Sequence, residues 1–132
     1  MCETRKGGRR LYLFQQSATV NKNEIEKCYG IKQPERINGF AGVVSAMPDI
    51  FVTEELFELM KNNPSARNEL TEIIRRIAGE DYGDINEEER EYNSDQRWLA
   101  GSYCDVVARF DLSFAKVAFV GYSDYAVIEL LI

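Results

Sequence analysis

Histidine is absent from this chain of 132 residues. That removes at once the commonest general acid–base side chain and the commonest transition-metal ligand. Cysteine is scarce. Cys2, Cys28 and Cys104 are odd in number, widely spaced and form no Cys-x-x-Cys pair, so neither a zinc ribbon nor a thioredoxin-type centre is expected. All three read as reduced thiols, with Cys104 a small core residue in a strand and nothing near Cys2 to activate it as a nucleophile. No apolar run approaches the ~18 residues of a membrane-spanning helix. The basic residues Arg5, Lys6, Arg9 and Arg10 precede no apolar segment long enough for a signal peptide. A cytoplasmic location without a membrane partner is the expectation. Gly-x-x-x-x-Gly-Lys and Gly-x-Gly-x-x-Gly are also missing, so no phosphate-cradling loop is expected.

What is present suits a globular domain: 45% hydrophobic and 29% charged residues, with only three prolines. Acids outnumber bases 22 to 16, for a net charge of -6. One stretch holds most of the imbalance. Between Glu80 and Asp95 eight acids face a single base, Arg90, for a local charge of -7. Binding nucleic acid needs clustered Lys and Arg, so this balance argues against it and favours a basic protein partner. The spacing is not that of a calcium loop. Counting from Asp81, Gly83 and Ile85 fall where an EF-hand needs oxygen ligands, and Tyr92 falls where it needs Glu. No metal or other cofactor is expected.

Taken in order, Leu11–Phe14 predicts a strand at a sheet edge, Asn21–Tyr29 a brief helix, and Phe40–Ala46 a second strand ended by Pro48. Thr53 is a good N-cap for a helix carrying Leu56, Phe57 and Met60. Leu70, Ile73, Ile74 and Ile77 recur at i, i+3, i+4, i+7, which makes the next helix the clearest element. Gly79 stands where a left-handed C-terminal residue belongs, and Gly83 is the second structural glycine of the turn. Asn86 and Glu89 have capping-box spacing, predicting a short helix over Glu87–Tyr92. The last third alternates apolar and polar residues over three runs, from Tyr103, from Val117 and from Tyr125. The expected class is α+β: an antiparallel sheet of three or more strands, mainly C-terminal, with two to three helices on one face.

Candidate site residues concentrate in the acidic turn and beyond it: Asp81, Tyr82, Asp84, Glu87, Glu88, Glu89, Asn93 and Trp98, read as partner-binding. Arg75 and Arg76 are placed to pair with some of these acids. Two alternatives remain beside this reading. One is a small-ligand or nucleotide-binding pocket using Tyr82, Arg97 and Trp98. The other is carboxylate catalysis around Asp81, although such chemistry needs one desolvated carboxyl and a charge run is usually a solvated face. Several of the numerous tyrosines fall on the sheet face opposite the core, where exposed aromatics favour interfaces.

The segment Asp81-Tyr82-Gly83-Asp84, with Glu89 six positions after Gly83 and Asn93 four later, resembles the signature of a small bacterial, plasmid and phage protein family. Its members read Gly-Asp-Trp-Gly, then an acid, then Asn. Gly42–Pro48 is similar to the family's approach to its first helix, and Gly101-Ser102-Tyr103 to one of its strand starts. Tyr82 replaces the family's Trp, Glu80 its first Gly, and its His has no counterpart. The resemblance implies a domain over residues 39–132, an N-terminal extension over 1–38 with a short strand, a helix and a partly flexible start, and a mobile-element context. It implies no particular reaction. Together with the missing catalytic residues and the acidic stretch, it leads to the expectation of a non-enzymatic interaction module. A counter-defence inhibitor of anti-CRISPR or anti-restriction type, binding a basic host or defence protein, is the sharpest form.

Overall fold

The computed structural model describes residues 3–6, 8–21, 43–100 and 103–131. In chain order the elements are β1 (Glu3–Lys6), β2 (Arg9–Gln15), β3 (Ala18–Asn21), β4 (Val43–Met47), β5 (Asp49–Thr53), α1 (Glu54–Lys61), α2 (Ala66–Ala78), α3 (Glu87–Ala100), β6 (Val107–Asp111), β7 (Lys116–Gly121) and β8 (Tyr125–Leu130). Six strands form one sheet in the order β1-β2-β5-β8-β7-β6, and β3 and β4 pair separately. The class is α+β, with a mixed sheet in which, among the described residues, β5 and β8 are the one parallel pair of strands. Among the described residues no helix is long and apolar enough to cross a membrane.

Strand alternation sends Ala108, Phe110, Val117, Phe119, Ala126 and Ile128 to one face. There they meet Leu56 of α1 and Leu70, Ile73, Ile74 and Ile77 of α2, so the periodicity of the sequence becomes the main core. Each fully buried Val, Leu, Ile or Phe among them stabilises the fold by roughly 1.5–3 kcal/mol. Thr53 caps α1 as expected, its hydroxyl accepting the Leu56 N–H at 3.5 Å.

Several expectations change. β2 is not at the edge, because β1 pairs outside it while β5 pairs inside. β1 and β2, drawn from the first 38 residues, therefore belong to the same sheet as the strands of the C-terminal third. Asp49–Thr53, which follows Pro48 too closely to suggest an element, is a strand at the centre of the sheet. Ile50, Phe51 and Val52 are all buried, the continuous apolar run of a strand covered on both faces. The face opposite the helices is buried at its centre and carries an exposed aromatic, Tyr122, toward one end. Leu11, Phe51 and Val127 form a second buried cluster there, with Tyr125 packed against it and Tyr122 stacked on Tyr125 at 4.9 Å. Finally, α3 runs on to Ala100 instead of ending at Tyr92, and the strand expected from Tyr103 begins at Val107 after a turn. Of the helix predicted over Asn21–Tyr29, Asn21 is instead the last residue of β3, and the rest lies outside the described residues.

Candidate functional site

The acidic turn begins where α2 ends. The Asp81 N–H donates to the Arg76 carbonyl and the Glu80 N–H to that of Ile77, the paired bonds of a Schellman stop. The left-handed residue is Glu80 (φ 64), one position beyond the expected Gly79, whose φ is -89. Asp81 closes the turn. Its carboxylate accepts from Arg76 Nε at 2.8 Å and from the Gly83 N–H at 3.1 Å. The expected pairing of the acidic stretch with Arg76 is thus present, and Asp81 is occupied by it.

Next the chain docks on the outer edge of β6. The Arg109 N–H donates to the Tyr82 carbonyl at 3.0 Å, and the Asp84 N–H donates to the Arg109 carbonyl at 2.7 Å. Gly83 lies between them with φ 72, and a Cβ there would fall on the Arg109 carbonyl oxygen and press the Phe110 ring. Only glycine fits. Two residues away along β6, Asn93 does with one side chain what a neighbouring strand would do with its backbone. Nδ2 donates to the Val107 carbonyl at 2.8 Å, and Oδ1 accepts the Val107 N–H at 3.2 Å. The outward backbone groups of Val107 and Arg109 are all satisfied, and the sheet edge is closed over these residues.

Asn93 belongs to one polar stripe of α3. Glu89, Asn93 and Arg97 recur every four residues, so they share a face of the helix. Glu89 closes the capping box, accepting the Asn86 N–H at 3.2 Å, while the Asn86 side chain accepts the Glu89 N–H at 2.8 Å. It also binds Arg109 through both oxygens, at 3.2 and 3.1 Å. The Asn86 hydrogen bond, followed by the Arg109 hydrogen bond, lowers the Glu89 carboxyl below its ordinary range. Arg97 is 5% exposed. Its guanidinium donates to the Ile77 and Ala78 carbonyls at 2.8 and 3.2 Å, capping the negative end of α2, and lies 4.4 Å over the Tyr103 ring. Burial opposes its charge, and the electrostatic pull of Tyr103, Tyr82 and Glu80 outweighs burial. Tyr82 is fully buried beside it, and burial pushes its hydroxyl up to about 12.

The predicted site residues therefore separate into two sets. Tyr82 and Asn93 are corrections: both are interior, Tyr82 because its ring completes the core and Asn93 because its amide is spent on Val107. Glu89 is half-buried in its own bonds. Tyr82 and Arg97 do meet, but as packed core and helix cap. Asp84, Glu87 and Glu88 face solvent, joined by Glu91, Tyr92 and Asp95. Arg90 lies among them, 3.8 Å from Glu87. The side chain of Trp98 lies outside the described residues.

Sequence reasoning passed over Asp105. It stands in the Tyr103–Val106 turn with φ 65, its N–H donating to the Gly121 carbonyl. An aspartate between apolar residues suggested an alternating strand, and only the closing of the turn brings it opposite α3. There a surface groove of about 340 Å³ is lined by Glu88, Glu89, Tyr92, Asn93, Asp105 and Val107. Among the described residues no group of three or more His, Cys, Asp or Glu side chains is placed to hold a metal ion. No protein-family model, no curated protein and no solved structure matches this chain.

Proposed function

We propose that this chain is a non-enzymatic interaction module whose outward α3 face binds a basic protein. The observation that supports it is the exposure of Asp84, Glu87, Glu88, Glu91 and Asp95 around one exposed base, Arg90. Such a field steers and holds a cationic surface, and it repels the phosphates of nucleic acid. The sharpest form of the reading is a counter-defence inhibitor carried by a mobile element, occupying the basic surface with which a host defence nuclease would grip nucleic acid.

The test is retention of host proteins by the immobilised chain at low and at raised salt, with a Glu87→Lys, Glu88→Lys, Glu91→Lys variant in parallel. Glu89 is left intact because reversing it would break the capping box. The expected result is a basic nucleic-acid-binding protein held at low salt, released by added salt and ignored by the variant. Equal retention by the variant would sink the acidic face as the binding surface.

A further inference from the structure

We propose that the groove between α3 and the β6 edge is an arginine slot, the anchor by which the acidic face grips an arginine-bearing segment of its basic partner. This rests on the preceding reading and gives it a location. At about 340 Å³ the groove is at the small end of the roughly 300–1,000 Å³ typical of small-molecule pockets. That suits one long side chain better than a whole metabolite.

Its walls match that occupant. Val107 supplies apolar floor, and Tyr92, 48% exposed, supplies an aromatic surface at the rim. The polar groups of the floor are already engaged, Asn93 with Val107 and Glu89 with Arg109. Glu88 and Asp105 are different. Both are exposed acids lining the groove, one from α3 and one from the turn before β6. Neither makes an ion pair among the described residues. A guanidinium can stack on a tyrosine ring while its fork of donors meets carboxylates on either side, which a lysine ammonium cannot do. Its apolar stem would cover Val107. Asp105 also holds its carboxylate at a left-handed backbone position that glycine would occupy more cheaply.

The test titrates a fluorescently labelled nona-arginine peptide, and nona-lysine of equal length, into the full chain at one low salt concentration, followed by anisotropy and by amide chemical shifts. The variants are Asp105→Asn, which keeps a left-handed-tolerant residue, Tyr92→Ala with Tyr92→Phe as its rescue, and Glu91→Gln, which removes an equal charge outside the groove. The expected result is tighter binding of nona-arginine, shifts centred on Asp105 and Val107, and losses of about tenfold for Asp105→Asn against about twofold for Glu91→Gln. Tyr92→Ala should lose affinity that Tyr92→Phe restores. Equal affinity for both peptides, with Asp105→Asn and Glu91→Gln equally weakened, would overturn the slot and leave a diffuse acidic face. No binding of either peptide would overturn both.

Discussion

The two sides of α3 are built from similar residues and have opposite fates. Glu89, Asn93 and Arg97 on the inner side are bonded to Arg109, to the Val107 backbone and to the end of α2. Glu87, Glu88, Glu91 and Tyr92 on the outer side are exposed. The inner stripe is as polar as the outer one, so hydrophobicity does not distinguish them. What distinguishes them is the supply of unsatisfied backbone groups on the β6 edge and at the α2 terminus. A buried donor or acceptor left without a partner costs about 1–3 kcal/mol, whereas an exposed carboxylate keeps its water and gains little from neighbours.

Substitutions should reproduce this division. Gly83→Ala attacks the edge closure most directly, combining a left-handed φ with a collision against the Arg109 carbonyl and Phe110. A loss of roughly 3 kcal/mol or more is expected in urea denaturation. Arg97→Met keeps the length of the side chain but leaves the Ile77 and Ala78 carbonyls without their cap; about 3 kcal/mol is expected from the same measurement. Asn93→Ala removes both bonds to Val107 and should cost about 2 kcal/mol. It should also speed hydrogen exchange at the Val107 amide, which a loss of packing elsewhere would leave slow.

The acid limb of stability sharpens the comparison further. Glu89 is lowered by the Asn86 hydrogen bond and by Arg109, and Glu69 by hydrogen bonds from Ser113 and Ser65. A carboxyl lowered in the folded state contributes stability that is present above its unfolded value and lost as the pH falls through the folded one. Stability should therefore decline as the pH drops below the ordinary value of 4.5. A Glu69→Gln, Glu89→Gln variant should be less stable near neutrality and show a flatter acid limb. The smallest effect belongs to the outer side. Glu87→Gln with Glu91→Gln should change unfolding free energy by no more than about 0.5 kcal/mol, while weakening capture of a basic partner. A loss comparable to that of Asn93→Ala would erase the distinction between the two sides.

Much of the local structure was legible in the sequence. Leu70, Ile73, Ile74 and Ile77 marked α2 because a helix buries one face at that period. Asn86 and Glu89 marked the start of α3 because the capping box is a local exchange of hydrogen bonds. Its far end was not legible, since Asn93 and Arg97 carry no apolar signal and are held by groups far along the chain. For the same reason Tyr82 and Asn93 looked available to a partner. Of the residues that resemble a family signature, Gly83 and Asn93 close a sheet edge in this fold and Glu89 holds the Arg109 side chain beside it.

The sequence by itself determined the α+β class, the α2 stripe, the alternation that becomes β7 and β8, and an excess of acid concentrated between Glu80 and Asp95. Tertiary structure decided that β5 lies beside β8, that Asp105 faces α3, and which acids remain outward. Glu87, Glu88 and Glu89 are consecutive and identical in chemistry, yet only Glu89 points back to Arg109. Local periodicity is written in neighbouring residues, but strand pairing and edge closure join groups many residues apart. Which carboxylate is a strut and which is a surface depends on what the fold brings opposite it.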